Sequence, residues 1–600
     1  MKKIKFIRKI IALLFLFTVS SCSNDWLEIE NPNSITSGSF FSTDDDFVMA
    51  VNTLFGDTEG GGFNELWYGG SGASNLRSDA IALAAVDFAQ LAQYYNFNND
   101  ASNGISDGIW TDAYSTIFKA NTILKQMENY TFTDSDLSVA LNAQIHFFRG
   151  ASFFRIAHAY GTGPIPLDPA ETEDQFNVAA ESAENLYAQA IQDLTIAKAD
   201  LPSEQEEVGR PTKGAATAFL GKLYLYRAGY LNDDSSYGLA ATEFNEIITT
   251  GGYSLTAKWL DNFVASTENN SESIYEAQYD VYSGSYNATQ QRPGTASVPG
   301  ISGEIVFKPS EWIFEEMSKE RDNDSLLDVR LLRTLYFEGG LPLFGVNFAD
   351  LGDGLVCASG GGGEDDSGGG PDCWEEDFTG EDSYWTSVVS DLYPDATITE
   401  VMLNGCWDPV AETEYENVTV TLDRGCSIVF NHWEESIIGN GCEASNDGGS
   451  FSGWLRKYLS EDLACYPVNN VNNERIIRYA DILLMYAEAN FMAGGNITES
   501  VNVVNLVRAR ANLLINVDAN GNSLDATNIM DEIEHQRVME FVMEGTRYYD
   551  MIRWGVLKER LQAHGFPDGA ATLDEEKHKY FPIPVGEVLY NDLIDQNPLW

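Results

Sequence analysis

Basic residues are scarce in this chain. Thirty-six Lys and Arg stand against 91 Asp and Glu in 600 residues, a formal net charge of −55. No Lys/Arg run beyond the first ten residues offsets that surface, so a phosphate backbone is repelled and nucleic-acid binding is excluded. Long apolar runs are missing as well. Past the leader, no stretch approaches the ~18 consecutive apolar residues of a membrane-crossing helix. The six histidines lie singly, which favours structural over catalytic roles, and the GxSxG, HExxH and P-loop patterns are absent. The common hydrolase, metalloprotease and nucleotide signals therefore drop out, and neither cofactor nor metal is expected. What remains is 44% hydrophobic and 21% charged, a composition that builds sizeable cores rather than a disordered chain.

The first thirty residues read as an address. Lys2, Lys3, Lys5, Arg8 and Lys9 precede an apolar run, Ile10 to Val19, too short to span a bilayer and of the length of a secretory h-region. Val19-Ser20-Ser21-Cys22 then sets small residues before a cysteine, as a bacterial lipobox does. Residues 1–21 are thus expected to be a lipoprotein signal peptide and Cys22 the lipidated residue. Its loss leaves a mature chain near −60.

Six more cysteines, Cys357, Cys373, Cys406, Cys426, Cys442 and Cys465, fall within about a hundred residues. An even number in one loop-rich part of an exported protein predicts up to three disulfides, with all fifteen connectivities open. A metal site using His432 competes, but no CxxC pair supports it.

Helix-period apolar spacing flanks this region. Ile109, Ala113, Ile117, Ala120 and Leu124 recur at three and four, as do Leu186, Ala190, Ile191, Leu194 and Ala197. Pro211, followed by Ala215, Ala218, Phe219 and Leu223, predicts a proline-led helix start. Toward the C-terminus come Ile476, Ala480, Leu483, Leu484 and Ala487, then Val504, Val507 and Ala511. A further run holds Ile529, Ile533, Val538, Phe541 and Ile552. The expected fold is mainly α: a tetratricopeptide-like helical-hairpin scaffold with long irregular loops and a disulfide-stapled insertion. The glycine run around 360–370 cannot hold a helix or strand, whereas Thr397-Ile398-Thr399, Val418–Leu422 and Ile428–Phe430 have short-strand character. The boundaries expected are 22–340 for an N-terminal helical region with ligand loops, 341–465 for the insertion and 466–600 for a C-terminal helical region.

Several motifs appear in a fixed order. Asp25-Trp26-Leu27 follows Cys22, and Trp110, Tyr114, Ile117, Ala120 and Asn121 mark the first long helix. Phe147-Phe148-Arg149-Gly150 precedes Tyr160-Gly161-Thr162-Gly163-Pro164-Ile165-Pro166-Leu167; Gly209-Arg210-Pro211-Thr212-Lys213-Gly214 and Ser271-Glu272-Ser273-Ile274-Tyr275-Glu276 come next. Arg478-Tyr479-Ala480-Asp481, Arg508-Ala509-Arg510, Glu544-Gly545-Thr546-Arg547-Tyr548-Tyr549-Asp550 and Phe581-Pro582-Ile583-Pro584 close the set. Over nearly its whole mature length the chain resembles the SusD/RagB family of nutrient-binding outer-membrane lipoproteins. It departs in the cysteine-rich insertion and in His535-Gln536-Arg537, where the family carries Glu before the arginine.

The resemblance implies a surface-exposed outer-membrane lipoprotein, anchored to the membrane through Cys22, facing the cell exterior and not an enzyme. It would capture an oligosaccharide and deliver it to a SusC-like TonB-dependent outer-membrane barrel. A RagB-like peptide-binding lid and a hydrolase grafted on the scaffold are the alternatives. Glu488, Arg508, Arg510, Glu540, Glu544, Arg547, Asp550 and Arg553 are read as ion pairs fixing helix registration, not as an active site. Asp518, Asn520 and Asn522 mimic the start of an EF-hand, but Gly521 falls early and position twelve is Ile529, so that reading is rejected. Asp44-Asp45-Asp46 reads as a helix start and Asp322-Asn323-Asp324 as a solvated turn.

A sugar ring offers an apolar face and a hydroxyl rim, so its binder needs flat aromatic platforms beside amides or carboxylates. Trp67 and Tyr68 ahead of Asp79, then Tyr94, Tyr95, Asn96 and Asn98, then Tyr279, Tyr282 and Tyr286 with Trp312 downstream, meet that description. In the family, the loops bearing such residues converge on one face. Trp374, Tyr384, Trp385 and Trp407 of the insertion form a further candidate surface.

Overall fold

Short polar side chains set most helix starts. The computed structural model describes residues 40–56, 74–83, 89–170, 172, 175, 177–279, 307–323, 325–337, 457, 472–566 and 571–600, together with the strand segments between 372 and 455. For those strands and for residues 307, 336 and 337, the backbone alone is described. Thr43 and Asp46 form a capping box on α1 (Asp44–Asn52). After α2 (Ala89–Tyr95), Asn103 caps α3 (Gly104–Glu128) and Asp134 caps α4 (Ser135–Tyr160). Gly161, at φ 70°, ends α4 in the left-handed conformation that a β-carbon disfavours. Ser182 opens α5 (Ala183–Asp200), and Thr212 opens α6 (Lys213–Leu231), which is followed by α7 (Ser235–Thr250). The proline-led start expected at Pro211 therefore lies two residues late: Thr212 accepts the Ala215 amide and Pro211 stays outside the helix.

These helices pack successively, α3 on α4, α4 on α5, α5 on α6 and α6 on α7. Small residues permit the approach; a β-carbon at Gly221 would sit 2.5 Å from the Phe244 ring. The array then crosses to the C-terminal part. Following α8 (Glu311–Met317) and α9 (Val329–Thr334), α10 (Tyr479–Met492) packs on α7 and on α11 (Ile497–Arg510). Next come α12 (Ile529–Phe541), α13 (Arg547–Trp554), α14 (Leu557–Ala563), α15 (Glu575–His578) and α16 (Val585–Tyr590).

Two periodic runs divide differently from expectation. Ile476 belongs to a strand, because the helix begins only at Tyr479. Ile552 lies in a separate helix from Ile529–Phe541, since positive φ at Met543 and Gly545 turns the chain between them. Asp44 does more than start a helix, accepting hydrogen bonds from Tyr130 and Thr133. Asp322 accepts from the Leu326 amide within its turn, and Asp518 caps its own loop through the Asn520 and Asn522 amides.

Strands in the helical body are short antiparallel pairs: β1 (Ile81–Leu83) with β5 (Phe307–Pro309), β2 (Thr162–Pro164) with β3 (Ala180–Ser182), β4 (Ser273–Ala277) with β13 (Glu474–Arg478), and β6 (Leu335–Phe337) with β12 (Gly453–Leu455). The inserted segment leaves through β6 and returns through β12. Between them β7 (Asp372–Asp377), β8 (Ile398–Asp408), β9 (Thr413–Leu422), β10 (Ser427–Asn431) and β11 (Ser436–Asn440) form one antiparallel meander in sequential order. The strands expected there are present but longer, and they make a sheet rather than isolated pieces of an irregular loop. Cys373, Cys406, Trp374 and Trp407 lie on β7 and β8; Cys357, Cys426, Cys442, Cys465, His432, Tyr384 and Trp385 fall outside the described residues. So does everything before residue 40, the leader and Cys22 included.

The C-terminal core is held by buried charge. Glu540, with no exposed surface, accepts from Arg330 (3.0 Å), Arg478 (3.1 Å), Arg510 (2.6 Å) and the Trp259 indole (3.1 Å). Glu272 takes a second bond from both Arg478 and Arg510, each 2.7 Å. Arg553 pairs with Glu488 and Asp550, Arg537 with Asp481 and Asp550, and Arg508 with Glu320 and Glu532. Each acid and arginine expected to register helices has an opposite charge against it.

The returning insertion is pinned into this network. Lys457, just past β12, is buried and donates to the carbonyls of Glu540 (2.7 Å) and Val542 (2.9 Å) and to the Glu544 carboxylate (2.6 Å). Burial pulls its ammonium pKa down to about 8 against the opposing pull of Glu544. Lys457→Met keeps the stem but strips the Val542 carbonyl of its partner. The expected loss is ~1–3 kcal/mol, a buried polar group left unsatisfied. Hydrogen exchange should quicken first in Leu335–Phe337 and Gly453–Leu455; unchanged exchange there would detach Lys457 from that role.

Candidate functional site

The site is organised around the buried run Arg77-Ser78-Asp79 that enters β1. Arg77 is enclosed by rings: its guanidinium lies 3.9 Å from the Tyr94 centroid, 4.8 Å from Phe97 and 5.1 Å from Phe581. It also donates to the Tyr94 carbonyl, the Tyr548 hydroxyl and Asn99. Asp79 receives the Arg547 guanidinium through Nε (2.8 Å) and Nη2 (2.6 Å), with His564 Nδ1 at 2.8 Å. Burial pushes the Asp79 carboxyl up, but Arg547 outweighs it and, with His564, holds the group down at about 2.

That ion pair supports a stacked surface. The Trp312 ring lies parallel to the His564 imidazole, centroids 4.0 Å apart at 5°, with the Arg547 guanidinium 5.4 Å from the indole centroid. Ser310, two residues earlier, donates its hydroxyl to the Asp79 carbonyl and its amide to the Ala80 carbonyl. Trp312 is thereby fixed against β1 and half-buried. Nearby on the C-terminal chain, Phe566 meets the half-buried Tyr95 edge-on at 5.9 Å, and Thr572 donates to the Asn96 carbonyl.

Trp312, Tyr95, Asn96 and the exposed Asn98 are therefore placed at or near the surface, on segments tied to the Arg77–Asp79 run and to the chain around 547–572. Two expected ligand residues are corrected. Tyr94 has no exposed surface and serves as a wall for Arg77, and Asp79 is fully buried and already saturated by Arg547 and His564. Both side chains face the interior of the helical body. Tyr279 is half-buried at the end of β4, its amide donating to Asn473. Trp67, Tyr68, Tyr282 and Tyr286 lie outside the described residues. Their segments rejoin the described chain at Ser74 and Phe307, and Phe307 pairs with Leu83 at the edge of this site.

A concave feature elsewhere on the helical body went unread in the sequence. A cleft of about 790 Å³, within the range of small-molecule sites, opens between α3, the chain following α4 and α16. Trp110, Tyr114, Phe118, Leu167, Glu587 and Asn591 are among its lining residues. Trp110 is buried, however, and the Tyr114 hydroxyl and Asn121 amide are spent on the Pro164 and Pro166 carbonyls. Of its rings, Phe118 alone is exposed, and the other exposed large apolar side chain on its lining is Leu167.

Two family models match the chain: one described as the SusD family over residues 431–600, the other as starch-binding proteins associating with the outer membrane over residues 25–225. SusD-like protein P25 of Formosa agariphila is 22% identical over 605 residues, covering 98% of each chain. A SusD-like protein of Bacteroides ovatus is 25% identical across 45% of this chain and 48% of its own. Among solved structures, a SusD superfamily protein from Bacteroides vulgatus superposes with a TM-score of 0.68 at 22% identity, over 94% of this chain and all of that one. Surface glycan-binding protein A from Bacteroides thetaiotaomicron, solved with laminarihexaose, gives 0.61 at 20% identity over 93% of this chain and all of its own.

Proposed function

The chain belongs to the SusD-like family, and on that premise we propose that it is a binding protein, not an enzyme, that captures an oligosaccharide at the outer surface of the cell. The observation that carries this reading is the Trp312–His564 stack. It braces a flat, half-buried ring on a buried ion pair, and the chain just past His564 meets the half-buried Tyr95 through Phe566. A platform fixed before the ligand arrives loses little entropy on binding, which suits recognition of a flexible sugar chain. Lipidation at Cys22 would tether the protein to the outer membrane, and a SusC-like TonB-dependent barrel would receive the cargo. Delivery through a tetratricopeptide-like scaffold seated on that barrel completes the reading.

Calorimetric titration of the mature chain tests it, with laminarihexaose, a panel of other oligosaccharides and basic peptides as probes. Glycan binding is expected, and Trp312→Ala should weaken it roughly tenfold, ~1.4 kcal/mol, while Trp312→Phe restores part of the loss. Circular dichroism should show the helical signal unchanged in both. Binding that survives Trp312→Ala and Tyr95→Ala together would move the ligand to the α3–α16 cleft. Binding of basic peptides alone would favour the peptide-capturing alternative, for which the charge of −55 is the supporting feature.

A further inference from the structure

The inserted meander has two edge strands, β7 and β11, each with a single neighbour. An edge strand holds by one ladder only and is where a sheet opens first or pairs with a foreign chain. In the β7–β8 ladder, six consecutive pairs run without a slip from Asp372↔Trp407 to Asp377↔Met402, and within them Cys373 is the direct partner of Cys406. Directly opposed residues of an antiparallel pair have Cα atoms ~4.5–5.5 Å apart. A disulfide spans ~4.4–6.8 Å between Cα atoms. A slip of one residue would send every side chain of the strand to the opposite face, so the unbroken register specifies this pair and no neighbour.

We propose that Cys373–Cys406 is a disulfide, so that the edge strand β7 is covalently stapled to its inner neighbour β8. Of the fifteen pairings the six cysteines allow, this leaves three, and it places the bond on a strand held by a single ladder. Formation is by thiol–disulfide exchange with a donor disulfide of the exporting compartment. Each cysteine pair gives up two protons and two electrons as its S–S bond forms, and the donor disulfide takes them up as two thiols. This rests on the reading that the chain is exported.

The full-length chain, leader included, should be produced in an exporting bacterium, quenched with N-ethylmaleimide, and digested without reduction for mass spectrometry. Linked peptides joining 373 to 406 are expected, with neither of these two cysteines alkylated. Cys373→Ser should leave Cys406 alkylated. Cys373 joined to any cysteine other than Cys406 overturns the pairing, as do free thiols at these two positions in a chain whose leader has been removed. Where the leader is retained, export has failed rather than the pairing. The purified reduced chain is then exposed to oxidised glutathione and judged by the same links.

Discussion

Glu540→Gln is expected to destabilise the folded protein by ~3–5 kcal/mol, the cost of breaking a buried ion cluster by removing one partner. Among the described residues, no other carboxylate meets as many guanidiniums. Three guanidiniums and an indole converge on its two oxygens, and the side chain has no contact with water. Burial pushes this carboxyl up, yet Arg510, Arg478 and Arg330 overwhelm the effect and hold it far below the usual range. Glutamine keeps the volume but removes the charge and turns one oxygen into a donor aimed at donors. Because a domain's total stability is only ~5–15 kcal/mol, the midpoint in urea should fall steeply. The acid limb should change as well. A carboxyl with a depressed folded pKa lends stability above its unfolded value near 4.5, and that stability is lost as pH falls, so the variant should lose less on acidification than the parent. An unfolding free energy within ~1 kcal/mol of the parent would show that the arginines find other partners.

The second large effect concerns His535, buried on α12. Its ring nitrogens meet Glu316 at 2.7 Å and Glu320 at 3.1 Å, with Glu532 and Arg508 in the same cluster. Burial pulls the imidazolium down, but the two carboxylates outweigh it and raise its pKa to about 9. The sign follows from linkage: stabilisation is complete below the unfolded value of 6.5 and disappears as pH rises through about 9. His535→Gln should therefore cost on the order of 3 kcal/mol at pH 6 and much less at pH 10. Lys457 titrates over part of that range in both proteins, so the difference between the two urea curves isolates the histidine. A penalty that stays constant from pH 6 to 10 would mean His535 packs as a neutral ring.

Much of the helical body was legible because its signals are local. The three-and-four spacing of Ile109 to Leu124 and of Leu186 to Ala197 lies on α3 and α5, and polar caps such as Asn103 and Ser182 mark where they begin. Ile476 was misplaced because one apolar residue beside a helix fits either period. The site was legible only in part, for a different reason. Tyr94 and Asp79 sit in glycine- and asparagine-rich surroundings that read as exposed, yet their burial is decided by residues from the other end of the chain. The Asp79–Arg547 pair spans 468 positions. His564, which braces Trp312, bears no local mark at all. The α3–α16 cleft was missed likewise, since Trp110 and Glu587 come together only after folding.

The neck formed by Leu335–Phe337 and Gly453–Leu455 has a consequence for how such proteins diversify. Chain departs and re-enters at one paired step, so the helical body is indifferent to what is threaded between. Closing the segment from 338 to 452 costs only about 2 kcal/mol more than closing a ten-residue hairpin loop, because closure entropy grows with the logarithm of length. Whole cassettes of sequence can thus be exchanged at this position while the buried arginine–glutamate lattice beneath stays as it is. Novelty in what meets the outside world is uncoupled from the inheritance of the frame that carries it.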